Sequence, residues 1–198
     1  MSTTKKGNAF ENIVYNHLQT ELVNDNLFVP QKKSQIFQKK SYFSKDRQSN
    51  IIIDISIETS IPKAKDYSLL TVVECKDYSH SIPVDDIEEF HSKVQQISGD
   101  NVKAIFATTA ALQKATLEYA KSKRIAVMRF LPANQVRWVT YHMTSARLSS
   151  HSSLDTSEFN SAFLNQDHRG TNKSFYGCDD KYIYGTLYSL LKNFLNDN

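Results

Sequence analysis

Three charged side chains in this sequence sit where a folding chain rarely puts them. Thr71-Val72-Val73-Glu74-Cys75-Lys76 reads as a buried β-strand, yet it ends on a carboxylate and an ammonium. Side chains alternate faces in an extended chain, so Val72, Glu74 and Lys76 share one face and Val73 and Cys75 the other. Upstream, Asn50-Ile51-Ile52-Ile53-Asp54-Ile55-Ser56-Ile57 is β-branched almost throughout and is interrupted by one acid. An unpaired buried carboxylate costs roughly several kcal/mol, so such groups are normally paired or bound to a metal. Two carboxylates and a lysine on the ends of two neighbouring strands form the donor set of a Mg²⁺ site with a cationic helper. The competing reading is a salt-bridged Glu74/Lys76 pair at a strand end, with Asp54 on the surface of an edge strand.

An acid-x-Lys triplet carries little information alone, since short motifs recur by composition. Asp179-Asp180-Lys181 is the internal control: it follows Gly177-Cys178 in a polar, turn-like setting and has no strand before it. Context separates Glu74-Cys75-Lys76 from it. There is a strand in front, a partner strand bearing Asp54, and a helix behind.

Several elements must position these groups. Gly7 to about Asn24 has Phe10, Ile13, Val14, Leu18 and Leu22 at steps of three and four, which predicts an amphipathic helix with Glu11 beside its apolar stripe. Leu27 to Phe43 reads as a short strand or two with a basic loop. The strands Ile51–Glu58 and Leu69–Lys76, joined by a hairpin-like connection, are expected to pair antiparallel and bring Asp54 toward Glu74. Behind Lys76 a polar loop leads to a helix from about Pro83 to Ser98, with Ile87, Phe90, Val94 and Ile97 buried and His91 and Gln95 together on one face. Strand 101–108, helix 112–123 (packing Ala115, Leu117, Tyr119 and Ala120) and strand 124–130 then give a βαβ rhythm, hence a mixed sheet covered by helices. Beyond Pro132 the rhythm breaks. Val136–Met143 reads as one more strand, 142–156 as a Ser/Thr-rich linker, and Tyr182–Leu195 has helical spacing.

At 198 residues the chain suits one domain with an appendage, and its 40% hydrophobic and 23% charged composition is that of a protein with a buried core. The formal charge of +3 decides little, but its distribution is uneven. Lys32, Lys33, Lys39, Lys40, Lys45 and Arg47 face only Asp46 and alternate with Phe37, Tyr42 and Phe43, the makings of a phosphate-facing surface or of a solvated lysine-rich loop. Two cysteines are too few for a disulfide framework, and Cys75 reads as a core residue. With no apolar leader and no run of membrane-spanning length, the expectation is a cytoplasmic protein without a membrane partner.

With these residues in place, the chain resembles the PD-(D/E)xK nuclease superfamily, and within it the Mrr-like restriction endonucleases. The matching pieces are Gly7-Asn8-Ala9-Phe10-Glu11 with Val14 and Leu18, Ile53-Asp54-Ile55-Ser56-Ile57, Val73-Glu74-Cys75-Lys76-Asp77-Tyr78, the helix Val84–Ile97, and the strand-helix-strand from Val102 to Met128. The resemblance covers roughly 5–130. It implies an α/β fold, a restriction-endonuclease-like mixed central β-sheet flanked by helices, with a nuclease core over 1–132 and a C-terminal helical extension over 133–198 serving specificity, dimerisation or core-capping. It also implies Mg²⁺-dependent hydrolysis of double-stranded DNA in restriction or phage defence, by a homodimer. Asp54, Glu74 and the backbone carbonyl of Cys75 become the metal ligands, Lys76 the catalytic lysine, Glu11 an auxiliary acid and Gln95 the helix glutamine of that family. Two alternatives stay open: a structure-selective or repair-type (resolvase-like) nuclease, and a non-cleaving DNA-binding module that keeps the fold.

Overall fold

Strands rich in Val and Ile on both faces need helices on both sides, and this chain supplies them. The computed structural model describes residues 3–25, 27, 29–64, 66–97, 101–131, 139–142, 161–168, 177–178 and 183–184. The elements run α1 (Thr3–Val23), β1 (Ser34–Ser44), β2 (Ser49–Thr59), β3 (Leu69–Lys76), α2 (Val84–Ile97), β4 (Val102–Thr108), α3 (Lys114–Ser122) and β5 (Ala126–Phe130), then β6 (Val139–His142), β7 (Gly177–Cys178) and β8 (Ile183–Tyr184). The strands stand side by side in chain order. β1, β2 and β3 pair antiparallel, and β3, β4 and β5 pair parallel through the α2 and α3 crossovers. β6 joins β5 antiparallel. Among the described residues no helix is long and apolar enough to cross a membrane.

One face of the sheet is covered by α1, whose Phe10, Val14, Leu18 and Leu22 pack with Ile55, Ile57, Val73 and Met128. The other carries α2 and α3, whose Ile87, Phe90, Leu117 and Ala120 pack with Val72, Phe106 and Val127. The expected mixed sheet between helix layers is therefore present. Two helix readings need correction. Ile13 is 55% exposed. At roughly 100° per residue the true stripe follows steps of four, and Glu11, not Ile13, falls inside it. On α3, Ala115 is exposed, and Thr116 takes the buried place, donating its hydroxyl to the Ile82 carbonyl at 2.8 Å.

The basic region departs from a loop. After a single 3₁₀ turn at Gln31–Lys33, β1 is one eleven-residue strand that includes Lys39 and Lys40. Lys39 has a left-handed backbone, φ 53°, in mid-strand, and the β1–β2 ladder skips one rung there, between Gln38↔Ile55 and Lys40↔Ile53. Strict alternation would keep Ile51, Ile53, Ile55 and Ile57 on one face. Instead Ile51 and Ile53 pack in the α2/α3 core with Tyr42, while Ile55 and Ile57 pack in the α1 core with Ile36. Both strands turn over at the Lys39/Asp54 position.

From the C-terminal part, 161–168 is packed onto the core. Phe163 and Ala162 are fully buried, and Leu112 donates its amide to the Phe163 carbonyl at 2.9 Å. The fully buried Arg129 of β5 donates to the carbonyls of Ala162 at 2.6 Å and Asn165 at 2.9 Å. Burial lowers the Arg129 pKa to about 10, so it keeps its charge at neutral pH. The helix expected over Tyr182–Leu195 meets a two-residue strand at Ile183–Tyr184, and the remainder, like the linker after His142, lies outside the described residues.

Removing the Arg129 guanidinium leaves buried carbonyls unpaired. Arg129→Ala is expected to lower the unfolding free energy by roughly 2–5 kcal/mol, measured by urea denaturation. It should also open 161–168 to protease under native conditions; an intact segment would count against the clamp.

Candidate active site

The β2–β3 ladder runs from Thr59↔Leu69 to Ile55↔Val73 and stops. The next rung would set Asp54 opposite Glu74. There the Asp54 side chain takes over from the backbone, its Oδ2 accepting the Cys75 amide at 2.9 Å. β3 continues alongside β4 as far as Lys76↔Thr108. The acids of two strands thus meet at a fork in the sheet, which the antiparallel pairing predicts.

Glu74 is 5% exposed on the α2 side of the fork. Two ammoniums address the same oxygen, Oε1: Lys93 Nζ of α2 at 3.0 Å and Lys76 Nζ at 3.4 Å. Lys93 also pairs with Glu89 at 3.1 Å, and Lys76 lies 3.7 Å from Asp86, which accepts the Tyr78 hydroxyl at 3.2 Å. The loop after β3 is pinned: Thr109 donates its hydroxyl to Asp77 at 2.7 Å and its amide to the Lys76 carbonyl at 3.3 Å. Burial pushes the Glu74 carboxyl above its ordinary 4.5 and the Asp54 charge adds to it, while Lys93 and Lys76 pull the other way without cancelling it. Burial works against the charge on Lys76 and on Lys93, but in both the Glu74 carboxylate prevails and the pKa rises.

On the α1 side, Lys39 Nζ lies 2.6 Å from Glu11 and 3.1 Å from Asp54 Oδ1. Burial disfavours its charge too, and is outweighed by the hydrogen bond to Glu11 and the charge of Asp54, so its pKa is raised. Glu11 reaches the fork because its position on α1 lies within the buried stripe. Burial, with Asp54 and Glu11 behind it, pushes the Cys75 thiol well up. It is a neutral group at physiological pH, not a thiolate.

Glu11, Asp54, Glu74 and Lys76 are therefore brought to one fork. Gln95 is not: it is exposed, with its amide 3.4 Å from His91. Two residues on a helix differ by roughly 200°, so Gln95 faces away from Lys93. Of the basic side chains, Lys32, Lys33, Lys45 and Arg47 are exposed. Lys40 is engaged with Glu58 at 2.6 Å and over the Phe37 ring at 3.8 Å, and Lys39 belongs to the fork. The sequence reading missed Lys93 altogether. Its signal was a lysine wedged between the core residues Phe90 and Val94, where a surface charge would sit further round the helix.

Among the described residues no three His, Cys, Asp or Glu side chains gather into a ready-made cage. Charge is the better test of fit. The linked groups comprise five acids (Glu11, Asp54, Glu74, Asp86, Glu89) and three lysines (Lys39, Lys76, Lys93). With all of them ionised, two negative charges remain, which suits a divalent cation. Asp54, Glu74 and a backbone carbonyl such as that of Cys75 could offer hard oxygen ligands to such an ion.

Residues 7–130 match the Mrr_cat family model, described as a restriction endonuclease. That span runs through α1 to β5 and takes in every residue of the fork. Among curated proteins none matches the chain.

The raised Glu74 pKa has a consequence for stability. The folded state binds the proton more tightly than the unfolded state, so this contribution is present below pH 4.5 and is lost as pH rises through the folded pKa. Glu74→Gln removes that titration. Relative to the wild type, the variant is expected to gain stability as pH climbs from 4.5 toward neutrality, read from urea midpoints across the range. A pH-independent difference would contradict it.

Proposed function

As this chain belongs to the Mrr-type restriction endonuclease family, which implies a restriction-type endonuclease acting on DNA, we propose that it hydrolyses phosphodiester bonds of double-stranded DNA with Mg²⁺ held by Asp54 and Glu74. The reading rests on one juxtaposition: Asp54 and Glu74 meet at the fork with the Lys76 ammonium 3.4 Å from Glu74. A degenerate site retained only for binding DNA has no need of all three. The setting is restriction or phage defence in the cytoplasm.

The ion, when bound, would polarise the scissile phosphate and lower the pKa of a coordinated water. Asp54 and Glu74 would hold it, with the Cys75 carbonyl as the third protein oxygen. Lys76, fixed at its backbone by Thr109 and loosely held by two acids, is placed to turn to the attacking water or to the charge growing on the phosphoryl oxygens. Glu11 serves as an auxiliary acid by holding Lys39. The exposed Lys32 and Lys33 before β1, and Lys45 and Arg47 in the β1–β2 turn, would contact the DNA backbone, contacts that weaken with salt. Cutting both strands calls for two such sites, hence a homodimer, and sedimentation gives its state directly.

Plasmid nicking with and without chelator tests the reading. Wild type should cut in Mg²⁺ only, and Asp54→Ala and Lys76→Ala should each lose about a hundredfold or more in rate while still binding DNA. Binding by all three proteins with no cutting by any would leave a non-cleaving module. Marked preference for cruciform over linear DNA would move the assignment to a structure-selective nuclease. A further outcome concerns Lys39, which now occupies Asp54 Oδ1. Lys39→Met is expected to lower the Mg²⁺ concentration for half-maximal cutting several-fold; an increase would mean that Lys39 supports the metal instead of competing with it.

A further inference from the structure

Two lysines contact one oxygen of Glu74, and they do so unequally. Lys93 makes a hydrogen bond to Oε1 at 3.0 Å, whereas Lys76 stands 3.4 Å from the same atom and 3.7 Å from Asp86. Lys76 is thus shared between two acids and held by each at a longer distance than Lys93 is held by Glu74. Lys93 is held from behind by Glu89 at 3.1 Å, in the favourable order for a helical pair, with the acid four residues N-terminal to the base. Its helix is anchored on both sides of it by Phe90 and Val94, both in the core. The two ammoniums are about equally sheltered, with side chains 18% and 19% exposed. They differ in how tightly they are held.

Resting on the Mg²⁺ reading above, we propose that Lys93 is a positioning residue: it fixes Glu74 by Oε1, leaving Oε2 for the cation and Lys76 free to serve the phosphate. A buried carboxylate abandoned by its only counter-charge would bear a large penalty or swing after the departing lysine. With Lys93 in place, Lys76 leaves Glu74 without disturbing it. Lys93 comes from α2 and Lys76 from β3, so motion of one does not carry the other. This assigns the two lysines different work: Lys76 moves between ligands and Lys93 stays.

The opposite idea is that Lys93 competes with the cation for Glu74, as is expected of Lys39 at Asp54. The two differ in sign. The experiment compares wild type, Lys93→Met, Lys93→Arg, Lys76→Met and Asp54→Ala. It reads the midpoint of Mg²⁺-dependent thermal stabilisation without DNA, then the Mg²⁺ dependence and saturating rate of plasmid cutting. Partners that orient metal ligands typically contribute about 10–100-fold in affinity or activity. Lys93→Met is therefore expected to raise both Mg²⁺ midpoints about tenfold or more and, with Lys76 then the only counter-charge left on Glu74, to lower the saturating rate by less than Lys76→Met does; Lys93→Arg should restore most of the midpoint. Lys76→Met should show the reverse: a normal midpoint and a lost rate.

An unchanged or lower midpoint in Lys93→Met overturns the proposal, as does a lost rate at normal midpoint, which would make Lys93 the reacting lysine. Should Lys93→Met fail to fold, Lys93→Arg decides: it keeps the charge, so a midpoint far from wild type in a folded Arg variant overturns the proposal. A wild type that neither shifts nor cuts with Mg²⁺ overturns the metal reading and this one with it. A wild type that does both while Lys93→Met matches it overturns the role of Lys93 alone.

Discussion

A carboxylate taken out of water must be answered by positive charge, and the arrangement around Glu74 stems from that requirement. Burial raises its pKa, and only the two lysines oppose the rise. Removing one partner from a buried pair typically costs about 3–5 kcal/mol, so elements that supply partners cannot drift. α2 must present its Lys93 flank to β3, which its apolar stripe secures by packing Ile87, Phe90, Val94 and Ile97 into the core. Lys76 must stay at the strand end, which the Thr109 contacts and the Ile82↔Leu112 bridge between the loops after β3 and β4 secure. The parallel half of the sheet thus holds the base of the site rigid.

The antiparallel half does something else. At Lys39 the chain adopts a left-handed backbone that L-residues avoid, at a cost of order 1 kcal/mol. β1 and β2 both change face at that rung, where the ladder skips the Lys39/Asp54 pair. One half of the hairpin contributes to the α1 core and the other half to the α2/α3 core. Asp54 sits at the turnover, free of a ladder partner, and so its carboxylate can bond to the Cys75 amide across the fork. A regular hairpin would have paired position 54 and aimed its side chain squarely at one face. The strain at Lys39 is offset locally by its contacts with Glu11 and Asp54.

Much of this was legible in the sequence, for physical reasons that differ by element. The strands β2 and β3 announce themselves by β-branched runs, β4 and β5 by short apolar runs, and the crossover helices by their stripes, so the mixed sheet and the approach of Asp54 to Glu74 could be read directly. Glu11 was harder: steps of three and four admit Ile13 to the stripe, and only packing shows that steps of four won. β1 was misread as partly a loop because lysines and glutamines look solvated. On an edge strand that is where they belong, since charge there discourages pairing with another chain. Lys93 was easy to pass over because a lysine on a helix is ordinarily surface decoration, and its place between Phe90 and Val94 does not say which flank of α2 meets the fork. No local pattern records the left-handed turn at Lys39 either, for it is set by the register of two strands around one rung.

The balance of charge orders the three lysines by how readily each can be given up. Five acids against three ammoniums leave two negative charges in excess, and each lysine already holds an acid oxygen that an entering cation would meet. Lys39 is the most exposed, with a side chain 46% open, and its ion pairs are correspondingly weakened by water. Lys76 is buried more deeply but divided between Glu74 and Asp86, so leaving one acid brings it nearer the other. Lys93 has the firmest hold on Glu74 and a helix pinned in the core behind it. Charge entering the fork therefore meets least resistance from the edge hairpin and most from α2. The basic, exposed side of the site is the adaptable one, and the helix side is the fixed reference against which it adapts.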